Sequence, residues 1–225
     1  MENKLINTGE KFYGRIKSRS LTARQERLFE TLMPEVEIKA FSEIDSSKFG
    51  RIFLEIGFGS GEHIAQMALN NPKDIFIGCE PFINGVASLL VKIDEKNIRN
   101  IRVLKSDARP FIKNIPNDLL SGVFLLFPDP WPKRKHIKRR FLQEKSIEDI
   151  YNRLKIGGFW RLASDHKEYK SWILKLFNQE KFQKIFEMKT FNRETRPDEK
   201  VWPKTRYEQK ATEEILYAEC LKKRV

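Results

Sequence analysis

The chain has 225 residues, 40% of them apolar and 17 of them Phe, enough for one domain with a full core and a short appendage. It has no apolar run of the roughly eighteen residues a transmembrane helix needs, so no membrane span is expected. Lys and Arg number 43 against 31 Asp and Glu, a formal charge of +12. That excess suits a polyanionic partner or else marks a basic soluble protein; only its clustering separates the two.

The segment beginning Met1-Glu2-Asn3-Lys4 lacks a basic stretch followed by an apolar one, so no signal peptide is expected. Cys79 and Cys220 are far apart in apolar surroundings, which favours reduced core residues over a disulfide. A cytoplasmic protein is the expectation.

Residues 1–48 are polar and basic, with Lys11, Arg15, Lys17, Arg19, Arg24 and Arg27 spread through them. They read as an N-terminal arm with a helix near 23–32 that Pro34 would stop. Residues 49–225 read as one domain. Strands are expected at 51–56, 74–79, 101–104, 122–127 and 159–163, the last after a break at Gly157-Gly158. Helices are expected around 64–69 and over 84–96, 141–154 and 168–178, with antiparallel edge strands at 186–191 and 215–221. Short apolar strands alternating with helices give an α/β fold, a mostly parallel sheet of seven strands with helices on both faces. An acidic residue stands at or just past the end of four strands: Glu80, Asp107, Asp129 and Asp165. Ligands bind outside those ends in open α/β sheets.

Glu55-Ile56-Gly57-Phe58-Gly59-Ser60-Gly61-Glu62 follows the first strand. Glycines allow a tight turn and bring backbone N–H groups against a ligand. The dinucleotide fingerprint Gly-x-Gly-x-x-Gly fails at its third glycine, where Glu62 would oppose a pyrophosphate. S-adenosylmethionine carries no phosphate. Glu55 can sit near its positive end, Glu80 can accept from both ribose hydroxyls, and Asp107 lies where the adenine edge would be. The acidic-Gly-x-Gly-x-Gly pattern resembles the first motif of the Rossmann-like class I methyltransferases.

Phe127-Pro128-Asp129-Pro130-Trp131-Pro132-Lys133-Arg134-Lys135-His136 follows the fourth strand. Alternate prolines stiffen this segment and remove backbone donors, and Trp131 offers a flat face to a base. The segment resembles the Pro-Asp-Pro-Trp-Pro-Lys signature of the bacterial tRNA (guanine-N7)-methyltransferase family. The likeness extends to Leu54–Gly59, Gly78-Cys79-Glu80, Ser106-Asp107-Ala108, Ser164-Asp165 and Thr205-Arg206-Tyr207-Glu208. Cys79 departs from the aliphatic residue often found there. The resemblance implies that Glu55, Glu80, Asp107 and Asp129 line the cofactor site, with Gly57, Gly59, Gly61 and Ala108 beside them. It also implies that Asp129 is the catalytic candidate. Lys133, Asp165, Thr205, Arg206, Tyr207 and Glu208 would contact the substrate, a guanosine in the tRNA variable loop.

Guanine N7 has a lone pair and no hydrogen, so no base is needed before attack. Asp129 is expected to position the guanine and favour its developing positive charge, with Asp165 a second candidate or an N-cap for the next helix. Lys133, Arg134, Lys135, Lys138, Arg139 and Arg140 crowd six cations into eight residues beside this loop. With His136 they are expected to meet RNA phosphates. The three histidines are too scattered to predict a metal site. The partner expected is tRNA, to a monomer or homodimer with no obligate protein partner. A methyltransferase of small molecules or proteins would leave the basic run unexplained, and a non-catalytic RNA-binding module would leave the four acidic strand tips unexplained.

Overall fold

Thr22 opens the first helix of the computed structural model, which describes residues 19–224. Its hydroxyl accepts from Gln25 N, and the Gln25 side chain accepts from Thr22 N, so two helix-start donors are satisfied together. This helix, α1 (Ala23–Thr31), ends before Pro34. Pro34 instead lies in the first turn of a second short helix, α2 (Met33–Val36), where a missing N–H leaves no bond unmade.

From Ala23 onward the segment read as an arm packs on the rest of the chain. Leu28, Met33 and Val36 join one core cluster, and Ile38, Phe41 and Ile44 the other. Arg24 pairs with Asp94 and Glu95, and Ile38 N donates to the Val103 carbonyl at 3.0 Å. Lys11, Arg15 and Lys17 lie outside the described residues.

The chain continues as β1 (Ile52–Ile56), α3 (Glu62–Asn70), β2 (Ile75–Cys79), α4 (Ile83–Lys96), β3 (Ile101–Leu104), α5 (Ala108–Lys113) and β4 (Leu120–Leu126). Then come α6 (Glu144–Arg153), β5 (Leu154–Ser164), α7 (Lys167–Phe177), α8 (Glu180–Ile185), β6 (Phe186–Phe191), α9 (Arg206–Lys210) and β7 (Leu216–Lys222). The seven strands form one sheet in the order β3-β2-β1-β4-β5-β7-β6. β1 to β5 are parallel, and β7 runs antiparallel between β5 and β6. Strand order reverses between β1 and β4, and a crevice opens at that switch point.

Every residue of β1 is buried, because each face of the sheet is covered. Ile52, Leu54 and Ile56 pack in the layer of Ile147, Ile173 and Phe177, while Phe53 faces the layer of Ile64, Leu89 and Leu28. Truncating Leu54, which has no exposed surface, would cost about 2–5 kcal/mol.

Gly157-Gly158 does not break the chain before β5. Leu120 pairs with Leu154 and Gly122 with Phe159, so the extra residues bulge out of a continuous strand. Gly157 supplies the positive φ of 75° that the bulge requires. The helices α5 and α8 were not expected: six residues each is too short for a helical period to show. Cys79 and Cys220 are free and buried, as the sequence leads one to expect. No helix among the described residues is long and apolar enough to cross a membrane.

Candidate active site

The turn after β1 depends on glycine. Gly57, Gly59 and Gly61 have φ of 69°, 55° and 78°, values that L side chains rarely adopt. The turn also lies hard against α4. A Cβ on Gly85 would stand 2.4 Å from the Gly59 carbonyl oxygen, so the helix must present bare backbone there. Gly61, the N-cap of α3, packs on Leu89 behind the turn and is not among the residues lining the cleft.

Glu80, just past β2, ties the turn down from the other side. Its Oε2 accepts from Gly59 N at 2.8 Å and its Oε1 from Phe82 N at 2.9 Å. Burial pushes this carboxyl up to about 7, against the pull of the two N–H bonds.

A cleft of about 490 Å³ runs along the carboxyl ends of the parallel strands. Its lining follows the strand order: Asp107 and Ala108 after β3, Glu80 after β2, Glu55, Gly57 and Gly59 at β1, and Phe127 to Asp129 after β4. Asp107 caps α5, accepting from Arg109 N at 2.8 Å, and its second oxygen meets Arg109 Nη1 at 2.6 Å. Glu55 is buried with its Oε2 2.7 Å from His63 Nδ1. Nothing in the sequence pattern singles out His63. The pair forms because the turn folds the first residues of α3 back over the end of β1.

Phe127 and Trp131 bracket the Pro-Asp-Pro segment, both with positive φ, 51° and 41°. For aromatic residues this is a strained backbone, of the kind that marks ligand clamps. Asp129 projects between them, exposed at the cleft mouth. Phe127 stacks on Tyr207, with ring centroids 6.5 Å apart. Trp131 has the Arg139 guanidinium over its ring at 4.9 Å and His136 against its edge.

Arg140 corrects the expected RNA surface. It is 3% exposed, donates from Nε to the Pro130 carbonyl at 2.8 Å, and lies over Tyr169 and Trp172. Burial lowers its pKa. Lys133, Arg134, Lys135 and Lys138 are exposed, the last three on a 3-10 turn (Arg134–Arg139) with half-buried His136. Lys138, Arg139, Arg109 and Lys145 also border a second cavity of about 280 Å³ beside the cleft.

The Thr205–Glu208 motif divides. Thr205 caps α9, its hydroxyl accepting from Glu208 N at 3.0 Å, and it reaches the cleft wall with Tyr207. Glu208 is buried in an ion pair with Arg196, which holds it away from the cleft, so its expected substrate contact is not available. Arg206 is exposed beside the cleft mouth's Tyr207. Asp165 is half-buried past β5 and does not line the cleft. It does not cap α7 either, whose N-cap is His166.

A family model described as "Putative methyltransferase" matches residues 50–216. The tRNA (guanine-N(7)-)-methyltransferase of Zymomonas mobilis is 40% identical over 210 residues, 92% of this chain and 90% of that one. Its counterpart in Granulibacter bethesdensis is 37% identical over 90% of this chain and 89% of that one. The chain belongs to the tRNA (guanine-N7-)-methyltransferase family.

Solved structures share the fold of this tRNA (guanine-N7-)-methyltransferase family member at low identity. An antibiotic-related methyltransferase superposes with a TM-score of 0.54 at 15% identity, covering 92% of this chain and 97% of that one. The tRNA (m1A58) methyltransferase TrmI of Aquifex aeolicus gives 0.51 at 12% identity, covering 93% and 72%. The fold is the Rossmann-like class I methyltransferase fold.

The cleft fits S-adenosylmethionine, the family's expected cofactor. The turn carries Glu62 where a pyrophosphate would lie, and its walls hold the carboxylates of Glu55 and Glu80. Arg109 and Arg139 also line the cleft but lie against Asp107 and the Trp131 ring, so it is the turn's end that favours a cationic group over a phosphate. Gly57 lines the cleft with open space beside its Cα, since a Cβ there would meet nothing within 4 Å.

Proposed function

We propose that this chain transfers the methyl group of S-adenosylmethionine to N7 of a guanosine in tRNA, in the variable loop. The observation that carries the proposal is the position of Asp129. It stands at the mouth of the cofactor cleft on a stiff loop, and that loop leads directly into the exposed cations.

Bound S-adenosylmethionine supplies a methyl group already activated by its sulfonium. Asp107 and Ala108 would hold the adenine end, Glu80 the ribose hydroxyls, and Glu55 the amino-acid end. Asp129 would accept hydrogen bonds from guanine N1–H and the exocyclic amine, which adenine does not offer in that arrangement. The same carboxylate favours positive charge developing on the base, and no residue has to remove a proton from N7. The alternating prolines hold the carboxylate with little freedom left to lose on binding.

Lys133, Arg134, Lys135, Lys138 and Arg139 would take backbone phosphates, with the second cavity in reach of the same strand of RNA. Arg206 and Tyr207 would close the opposite side of the mouth. A tRNA substrate also accords with a cytoplasmic enzyme. The test incubates unmodified tRNA transcripts with methyl-labelled cofactor, digests the RNA and identifies the labelled nucleoside. Label in 7-methylguanosine is expected; label in any other nucleoside rejects the assignment.

A further inference from the structure

The strand order β3-β2-β1-β4 sets Asp107, Glu80 and Glu55 in succession along the cleft, with Asp129 beyond them. If the first two tips take the adenosine, the end of β1 is left for the amino-acid end. There Glu55 is not alone. His63, in the first turn of α3, is 2% exposed, lines the cleft, and holds Glu55 Oε2 through Nδ1 at 2.7 Å. Phe124 of β4 meets the imidazole edge-on, with centroids 4.7 Å apart, which fixes the ring plane. The other ring nitrogen, Nε2, is buried without a hydrogen-bond partner in the protein. With less than 1 Å² of accessible surface that nitrogen cannot be met directly from the cleft, so the imidazole bears on a ligand through Glu55.

We infer that His63 is a positioning residue for the amino-acid end of the cofactor, holding Glu55 in place through Nδ1. The inference rests on the cofactor reading above. A free α-amino-acid group is small, charged and rich in donors and acceptors, which suits a carboxylate held fixed by an imidazole. The nucleoside portion would not touch the pair. The site therefore separates ligands that share adenosine and sulfur but differ in the amino-acid tail.

Calorimetric titration of the full chain with S-adenosylhomocysteine and with 5′-methylthioadenosine tests this. The second compound keeps the nucleoside and thioether and lacks the tail. For His63→Phe, affinity for S-adenosylhomocysteine should fall about 10- to 100-fold, the range of a charged hydrogen bond to Glu55, while 5′-methylthioadenosine changes less than about threefold. His63→Asn, whose amide can still donate to Glu55, should recover part of the loss. Equal weakening of both ligands in both variants would reduce His63 to packing and overturn the inference, as would unchanged discrimination. A wild-type protein that bound neither compound would overturn the cofactor reading itself, an outcome distinct from failure of His63 alone.

Discussion

Arg140 donates from Nε to the carbonyl oxygen of Pro130 at 2.8 Å, and its Nη2 reaches the Trp131 carbonyl at 3.3 Å. The last cation of the basic run is thus a strut beneath the Pro-Asp-Pro-Trp loop, buried against Tyr169 and Trp172. Lys138, two residues earlier, is exposed. The two should respond differently to the same substitution.

Arg140→Ala leaves two carbonyls short of a donor and empties a buried space. Stability should fall by about 2–4 kcal/mol, and turnover should fall with it as Asp129 loses its fixed position. The salt dependence of tRNA binding should keep its slope. Lys138→Ala should do the reverse: normal thermal stability, and a slope in log Kd against log salt shallower by about one. Filter binding across salt concentrations, with thermal melts, measures both. A reduced slope for Arg140→Ala would return that residue to the RNA surface.

Gly85→Ala places a methyl group 2.4 Å from the Gly59 carbonyl oxygen. The contact is with backbone, so the turn must move. Affinity for S-adenosylhomocysteine should fall at least about tenfold, and stability by about 1–3 kcal/mol. Unchanged ligand affinity in the folded variant would show that the turn does not touch the cofactor.

Glu80 makes stability and cofactor binding vary with pH in opposite directions. Burial raises its pKa from an ordinary 4.5 to about 7 in the fold. Between those values the folded chain keeps a proton the unfolded chain has lost. The group's contribution to stability is therefore complete below 4.5, declines as pH rises to about 7, and is flat beyond. Ribose hydroxyls donate to the ionised carboxylate, so affinity for S-adenosylhomocysteine should climb through about pH 7 and then level off. Glu80→Gln should bind more weakly and lack that step. Titrations from about pH 5.5 to 8.5 on both proteins decide it, and a wild-type affinity that is level across the window would remove Glu80 from this role.

What could be read from sequence follows from the range over which each signal acts. The five parallel strands and their acidic tips are legible because buried strands are continuous apolar runs and the chain must turn at each end. Arg140 and Glu208 are misread for one shared reason. Each is a charged residue in a charged neighbourhood, and only the fold reveals that a ring pair or a buried guanidinium awaits it. The pairing of Glu55 with His63 is hidden because it crosses a turn whose shape comes from three positive-φ glycines. The basic residues after Arg19 look like a solvated arm. The apolar positions Leu28, Met33, Val36, Ile38, Phe41 and Ile44 among them are what dock the segment.

Asp129→Asn keeps the shape of the loop and removes its charge. Turnover at saturating substrates should fall about 100-fold, the size of a lost electrostatic contact to a developing charge. Affinity for S-adenosylhomocysteine should change little, because Asp129 stands at the mouth of the cleft and not in its floor. Wild-type turnover in this variant would remove the carboxylate from catalysis.

The central claim is that N7 of guanine receives the methyl group. A tRNA transcript made with 7-deazaguanosine carries C–H in place of that nitrogen and keeps the Watson–Crick edge that Asp129 is proposed to read. Methyl transfer from labelled cofactor should be full on the guanosine transcript and absent on the 7-deaza transcript, while the two RNAs bind with similar affinity. Equal labelling of both transcripts would contradict the account, since the methyl group would then be going to another atom.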